Sequence, residues 1–562
     1  MTAVGAVADG ESPKASIHFF FLFFPFSAFP FAIRHSQSAI RPSQSPVVPT
    51  RSPLSTPRSH ANGRPDLAGP PPPPALIAAL AVLIAFSVIA FGAVEDWSTA
   101  TFEAGLFVLA AGVAWSRKDL FRRPLLLWAP ALFVCVLLAA GVLQVVPVTT
   151  GLWRTMGDER GVQMAQAAQA ETLLRSDLYR TDPFSGKVSP PDSESALTPP
   201  EPSWRPATFT PALTLRALLA LLAALVLVLL LDMVGRSSRD GLRALALVVG
   251  VLGLGVGFVA LAQYRSVVTR ILGMRESVHA TGAFGPFVNE NNGMGFVNLA
   301  MGMLYYFLWK RAVRSKPQHL SNRLGLGLLA LCLLVFHACL LGIRTSGAGY
   351  WPLLLFPGAI VLHALRRRPR LVLIAGGTLA LALAGLAVVG LAYRFTDLHG
   401  RLGIWTDALS QNHWLVGNGL GSFGERFQAV LTDLPSRAVA WFIYPENEYL
   451  QLYFEAGLPG AAAAIFAALY VLVLGWKALM AEGHAFLLVP PLWGEALHAV
   501  TDFHFHLWPV VAAYLVLIAL IRTSLARNGR TNGRANGHGK RRGADHESQA
   551  PPSSRTEAAV TP

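Results

Sequence analysis

Charged residues are scarce in this 562-residue sequence: Asp, Glu, Lys and Arg make up only 14% of it, against roughly 25% in a soluble globular protein. Hydrophobic residues make up 53%. This composition excludes a water-soluble domain as the main fold. Apolar runs of about 20 residues recur along the chain, and each is long enough to cross a hydrocarbon core of roughly 30 Å. The sequence therefore predicts an all-α polytopic membrane protein.

Cysteine is also scarce. Cys135, Cys332 and Cys339 all lie inside apolar runs, and no Cys-x-x-Cys pair is present. Neither a disulfide framework nor a zinc site is indicated. Basic residues, in contrast, outnumber acidic ones: 46 Lys and Arg against 32 Asp and Glu give a net charge of +14. Because much of the excess lies in short inter-helix loops and near the C-terminus, it indicates membrane orientation and not nucleic-acid binding.

We predict about twelve transmembrane helices, at 75–94, 100–115, 125–146, 212–233, 242–263, 293–309, 324–343, 350–365, 371–393, 458–476, 484–500 and 507–521. Four consecutive even-to-odd connections are basic; they contain Arg117 and Lys118, then Arg236 and Arg239, then Lys310 and Arg311, then Arg366 to Arg368. The positive-inside rule places these loops, and both termini, in the cytoplasm. The expected location is a bacterial inner membrane.

The two ends of the chain differ in composition from the apolar part, 75–521. Residues 1–74 form a Pro/Ser-rich segment that ends in five prolines, and we expect it to be disordered. Residues 522–562 form a basic, low-complexity tail, expected to be cytoplasmic. Two long segments, 147–211 and 394–457, fall on the opposite side of the membrane. We expect any chemistry on this polar face. A transporter would instead keep its ionisable residues near the bilayer midplane.

The segment between the ninth and tenth predicted helices is the most informative. It reads Arg401-Leu-Gly-Ile-Trp405, then Gly417-Asn-Gly-Leu-Gly-Ser-Phe423, then Glu446-Asn447, with Gly457 and Gly460 further on. It resembles the large periplasmic loop of the O-antigen ligase and polymerase family. That family's loop runs from Arg-x3-Trp, through a Gly-x-Gly-x-Gly-Ser-Phe-like turn, to His-Asn and then Gly-x-x-Gly. Further stretches resemble the family in the same order: 91–97, 203–214, 285–292 and 498–506.

The resemblance covers about residues 75–521 and implies a metal-independent, cofactor-free glycosyl transfer at the periplasmic face. The expected partners are an undecaprenyl-diphosphate-linked glycan, a glycan or lipid acceptor with a free hydroxyl, and membrane lipids. An O-antigen or exopolysaccharide polymerase, which extends lipid-linked repeats, is the first alternative. Transfer to protein side chains is another. From a different class, the chain would be a non-catalytic membrane scaffold or transporter.

A diphosphate leaving group needs fixed positive charge, and Arg offers the planar bidentate pairing that Lys lacks. Arg401, which opens the loop pattern, is the first candidate for this catalytic role. The alternative is an interfacial arginine that reaches the lipid headgroups. Arg344, near the outer end of the seventh span, is a second candidate for substrate binding, and Arg265 and Arg275 are candidates on the 264–292 segment.

Glu446 stands where the family has a histidine, which the resemblance implies is the general base in those relatives. A glutamate can accept the proton of the acceptor hydroxyl if burial or a neighbouring carboxylate such as Glu448 raises its pKa. Alternatively Glu446 pairs with Arg401 and is structural, or the base is His413 or His399. The sequence-predicted substrate-binding residues beside it are Asn447, Tyr449 and Gln451.

A last cluster, His498, Asp502, His504 and His506, has the residue types of a metal site. The family shows a similar His-x3-Asp-Phe without a metal. We therefore expect polar packing at a helix end, with Asp502 orienting the long loop, and we predict no metal site.

Overall fold

The computed structural model describes residues 74–116, 125–149, 204–263, 270–276, 284–314, 320–344, 350–393, 395–410, 414–428 and 443–526. They belong to one compact unit, Asp66–Pro562. The predicted disordered segment 1–74 lies outside these residues except for Pro74. Most of 147–211 and the tail after residue 526 also lie outside them.

The described residues are mostly helical. The helices are α1 Pro74–Ile89, α2 Asp96–Ser116, α3 Trp128–Val145, α4 Pro211–Ser237, α5 Arg239–Gln263, α6 Glu290–Arg314, α7 Leu320–Arg344, α8 Trp351–Leu365, α9 Pro369–Tyr393, α10 Phe395–Ser410, α11 Phe423–Gln428, α12 Glu448–Met480, α13 Val489–His498 and α14 Trp508–Ala526. Short 3-10 helices occupy Phe91–Ala93, Ala485–Leu488 and His504–His506.

Two small antiparallel ladders accompany the helices. β1 (Val148–Thr149) pairs with β2 (Trp204–Arg205), with Val148 opposite Arg205. β3 (Arg270–Ile271) pairs with β4 (Arg275–Glu276), with Ile271 opposite Arg275. Each has only two residues per strand, so the protein is an all-α fold in the part that the structure describes.

Seven helices are long and apolar enough to cross a membrane: α2, α3, α4, α5, the stretch Leu324–Leu341 of α7, α12 and α14. Shorter apolar helices lie at α1, α8 and Pro369–Leu379. The predicted membrane-embedded, all-α fold is confirmed at this level, and the count of twelve spans stays a prediction. Leucines on α7 such as Leu324, Leu328 and Leu331 are exposed, as expected for a surface that faces lipid.

The eleventh predicted span, 484–500, is shorter than the sequence indicated. A 3-10 turn leads into α13, whose ten residues begin with Val489, Pro490 and Pro491. Proline is tolerated in the first turn of a helix but not in its interior, so α13 begins here. At 1.5 Å per residue it is about 15 Å long, roughly half of a hydrocarbon core.

Helix α12 is bent at Gly457, whose φ of 59° and ψ of −139° are not helical. The bend separates Glu448–Ala456 from the apolar stretch that follows. That stretch, 458–480, is about 35 Å long, enough to cross a bilayer by itself. The predicted tenth span, 458–476, falls within this stretch, and its boundaries stay a prediction.

The core is centred on α6 and α14, whose side chains are buried along most of their length. His337 of α7 is fully buried and its Nε2 lies 2.8 Å from Asn298 Oδ1 of α6. It is a packing residue, as helix-to-helix hydrogen bonds of this kind are common between membrane helices. The segment between α9 and α12 contributes two of the helices, α10 and α11, at one end of this bundle.

Candidate functional site

The turn 417–421 is held at the end of α3 by one buried amide. Gln144 Nε2 donates to Val416 O and to Glu455 O, both at 2.7 Å, and its Oε1 accepts from Leu420 N at 2.9 Å. Gln144 is fully buried, so these bonds have no competition from water. They fix the turn against both α3 and α12.

The carboxylate of Glu455 binds the other side of the same turn. It accepts from Gly421 N at 2.8 Å, from Gln451 Nε2 at 2.9 Å and, less closely, from Phe423 N at 3.4 Å. Phe423 begins α11, and a negative charge at a helix N-terminus is favourable. Glu455 is therefore a structural anchor whose burial is compensated by hydrogen bonds.

The Gly-x-Gly-x-Gly pattern has a steric cause. Gly417, Gly419 and Gly421 have φ angles of +75°, +116° and +75°. A Cβ on Gly417 would overlap the backbone of Glu455, and one on Gly419 would lie 2.8 Å from Thr208 Cβ and closer still to its Oγ1. The motif permits a tight turn to pass against the bend of α12, where a Cβ on Gly457 would lie 2.5 Å from Gly417 N.

Arg401 and Glu446 form an ion pair. Arg401 Nε lies 2.5 Å from Glu446 Oε2, and Arg401 Nη1 donates to Thr501 O at 2.6 Å. The two side chains are 24% and 37% exposed, so a ligand can reach both. Glu446 has a φ of +54°, a conformation that is uncommon outside glycine. The pair is the structural arrangement that the sequence left open as an alternative to a catalytic base.

Three of the residues predicted to bind substrate, all near the start of α12, make hydrogen bonds within the protein. Asn447 is the N-cap of α12, and its side chain accepts from Leu450 N at 3.0 Å. Tyr449 donates its hydroxyl to Ala496 O at 2.8 Å. Gln451 is buried, donates to Glu455 and lies 3.1 Å from His506 Nε2. They position the start of α12.

The remaining predicted residues are placed as follows. Arg275 lies on β4, half-buried, and pairs with Glu95. Arg344 is the last residue of α7, and its side chain lies outside the described residues. Arg265 and His413 also lie outside them, as does the side chain of His399.

Sequence reasoning missed the partnership between Glu448 and His506. Glu448 Oε1 accepts from Phe505 N at 2.7 Å and lies 3.2 Å from His506 Nδ1. Although burial opposes it, the charge of Glu448 and this hydrogen bond raise the pKa of His506 to about 9. The signal was present: Glu448, Gln451 and Glu455 recur at helical spacing and mark one polar face at the start of α12.

A cavity of about 430 Å³ lies beside this polar face, between α2, α3, α4, α12 and α14. Its wall is apolar over most of its length; it includes Phe133, Leu137, Ala220, Leu221, Ala464 and Phe466. Glu448, Tyr449, Glu455 and His506 line its polar part, together with Gly421 of the turn. An apolar pocket with a few convergent polar groups is the usual form of a ligand site. This one suits a long apolar chain with a polar head.

A second polar cluster is buried next to it. Glu495 and His498 lie on α13, and Asp502 and His504 follow. All four are at most 2% exposed. Burial lowers the pKa of His504 to about 3. Burial opposes ionisation of Asp502, but the hydrogen bond and charge of His498 lower the pKa of this carboxyl.

In comparisons with known proteins, no family model matches the chain, and no curated protein matches it. Assignment of a function therefore depends on the motifs in the sequence and on the geometry above.

Proposed function

We propose that the chain is a glycosyltransferase of the O-antigen ligase type. It transfers a glycan from undecaprenyl diphosphate to the hydroxyl of a glycan or lipid acceptor, at the periplasmic face of a bacterial inner membrane. The observation that carries this proposal is the cavity. Its apolar wall lies within the bundle of helices, and its polar part is formed by the same segments, 417–423, 446–457 and 498–506, that resemble the family.

The ion pair of Arg401 and Glu446, which joins α10 to two of these segments, supports the chemistry. Arg401 is partly exposed and is held in place by Thr501 O. Its guanidinium can bind a diphosphate bidentately, as arginine does with phosphates in general. A diphosphate carries more negative charge than one carboxylate and competes with Glu446 for the guanidinium. Binding of the donor therefore draws Arg401 away from Glu446.

The reaction then needs one proton acceptor. The acceptor oxygen forms a bond to the anomeric carbon of the glycan, and the bond from that carbon to the phosphate oxygen breaks. Undecaprenyl diphosphate leaves with the electron pair, and Arg401 stabilises its charge. The proton of the acceptor hydroxyl goes to the Glu446 carboxylate. The pairing seen in the structure is, in this proposal, the resting arrangement.

The test is complementation of a deletion strain with the wild-type gene and with Arg401→Ala, Arg401→Lys or Glu446→Gln. The envelope glycan is read on a gel, and an immunoblot of the membrane fraction checks that each variant is present. Arg367→Ala is the matched control, because Arg367 is also an ion-paired arginine, 3.4 Å from Glu482, but is 79% exposed in the loop between α8 and α9.

We expect the control to restore high-mass glycan, both Arg401 variants to lose most of it, and Glu446→Gln to lose it too. Equal glycan from every variant would contradict the transferase proposal and favour a scaffold. Full activity of Glu446→Gln with loss in Arg401→Ala would show that Glu446 only holds the arginine. Chain-length analysis of the glycan then separates transfer to an acceptor from polymerisation.

A further inference from the structure

The cluster Glu495, His498 and His504 has the geometry of a metal site. His504 Nε2 lies 3.1 Å from Glu495 Oε1, and His498 Nδ1 lies 3.9 Å from the same oxygen. One ligand atom from each of the three residues falls within 4.8 Å of the others. Metal–ligand distances of roughly 2.0–2.2 Å place the ligand atoms of a tetrahedral site about 3.4 Å apart. The two separations in the cluster, 3.1 and 3.9 Å, lie on either side of that value.

Several polar atoms of this cluster lack a well-formed hydrogen bond. Among the described residues, these are both carboxylate oxygens of Glu495 and Nδ1 of His498. A buried polar group without a partner costs about 1–3 kcal/mol, and a charged one costs more. A positively charged ligand between Glu495 and His498 would satisfy these atoms. A divalent cation can do so, because it binds a carboxylate and two neutral imidazoles at once.

The neighbouring helix leaves room for the carboxylate. Gly295 of α6 faces Glu495, and a Cβ at this position would overlap Glu495 Oε1. The absence of a side chain at Gly295 therefore leaves space for the Glu495 carboxylate, which points toward the two histidines.

Asp502 is placed to accept the second ring N–H of a metal-bound His498. His498 Nε2 lies 3.5 Å from Asp502 Oδ2, while His498 Nδ1 faces Glu495. Metal-ligating histidines usually donate their second ring N–H to a carboxylate or a carbonyl, which fixes the tautomer and the orientation of the ring. With Nε2–H directed at Asp502, the lone pair of Nδ1 is directed into the cluster.

We propose that Glu495, His498 and His504 bind one divalent first-row metal ion, with Asp502 orienting His498. Two imidazoles and one carboxylate match the ligands of Zn²⁺, whereas Mg²⁺ and Ca²⁺ prefer oxygen ligands alone. This differs from the expectation of polar packing without a metal.

The ion has a structural role. It joins the end of α13 to the segment before α14, and the intervening residues carry Ala499 O, which accepts from Glu448 N, and Thr501 O, which holds Arg401. The proposal concerns a site apart from the ion pair of Arg401 and Glu446.

The test uses the full chain, purified in detergent with an affinity tag that contains no histidine. Metal content is measured by inductively coupled plasma mass spectrometry after gel filtration. We expect about one Zn²⁺ per wild-type chain and its loss in Glu495→Gln, His498→Gln and His504→Gln. The control is His484→Gln, on the turn before α13, and it should keep the ion. Asp502→Asn should weaken the affinity about 10- to 100-fold, measured by competition with a chelator.

Zn²⁺ and Co²⁺ added to wild-type protein test the site without relying on the folding of variants. Zn²⁺ should raise the unfolding temperature of chelator-treated protein, and Co²⁺ should give the visible absorption bands of a protein-bound ion. The proposal is overturned if the wild-type chain holds no metal and neither ion has an effect. Equal metal content in the wild type and all three ligand variants also overturns it. These readouts are independent of glycan transfer, so failure of either proposal is recognised separately.

Discussion

Replacement of Gly419 by alanine tests whether the turn 417–421 is packed as described. Its φ of +116° is rarely adopted by residues with a side chain. The new Cβ would lie 2.8 Å from Thr208 Cβ and closer to Thr208 Oγ1, which shares a 2.7 Å hydrogen bond with Thr214 Oγ1. Both the backbone and the buried threonine pair must shift to accommodate it.

The expected loss of stability has two parts. A residue held in an unfavourable backbone conformation costs of order 1–3 kcal/mol. Disruption of the buried bond between Thr208 and Thr214 costs about 1–3 kcal/mol more. Gly419→Ala should therefore lower the free energy of unfolding by about 2–6 kcal/mol.

Two other glycines separate these contributions. Gly273→Ala, in the turn between β3 and β4, places a Cβ in open space at a φ of +72° and should cost only about 1–2 kcal/mol. Gly112→Ala, in α2, also meets open space but is helical, and should gain up to about 1 kcal/mol. Thermal unfolding of the three variants in detergent, followed by tryptophan fluorescence, ranks them.

The expected order of unfolding temperatures is Gly112→Ala, wild type, Gly273→Ala and, lowest, Gly419→Ala. If Gly419→Ala unfolds at the same temperature as Gly273→Ala, the steric contribution is absent. The turn then does not pack on Thr208, and the placement of the 417–423 segment beside the cavity is wrong.

Two further predictions concern residues that hold the candidate site together. Gln144→Leu keeps the volume of the side chain but leaves Val416 O and Leu420 N without their partner. We expect it to lower the free energy of unfolding by about 2–5 kcal/mol, measured as a fall in the denaturant concentration at half-unfolding. Unchanged stability would contradict the buried hydrogen bonds. Asn447→Ala removes the N-cap of α12 and should lower the free energy of unfolding by about 1 kcal/mol. Asn447→Asp should retain both stability and glycan output. Loss of glycan without loss of stability in the alanine variant would instead support a role of Asn447 in substrate binding.

The helical membrane fold could be predicted from the sequence because length and hydropathy decide it. Long apolar runs must form helices in lipid, where every backbone N–H and C=O group needs an internal partner. The prediction for 484–500 was less accurate because Pro490 and Pro491 are compatible with the first turn of a short helix as well as with a kinked long one. Hydropathy does not distinguish these cases.

The candidate site was predictable in its segments but less so in the roles of its residues. The glycines of 417–421 were found by their pattern, but the close approach to Thr208 and Glu455 that requires them is visible only in three dimensions. Asn447 and Tyr449 are predicted to bind substrate; the structure makes Asn447 a helix cap and directs the Tyr449 hydroxyl to Ala496 O, while Tyr449 also lines the cavity. Side chains such as Gln144 and Glu455, which are far apart in sequence, offer no local signal of their contact.

The buried amide of Gln144 also has a consequence for biosynthesis. One of its acceptors, Glu455 O, lies 311 residues further along the chain. At about 5–20 residues per second, the ribosome needs about 15–60 s to reach it. During that interval the side-chain amide of Gln144 lacks the acceptor that α12 supplies, although Gln144 O can already accept from Thr208 N. Completion of this end of the protein is therefore a late event in its assembly, and a chain that stops before α12 should expose the amide to quality-control proteases.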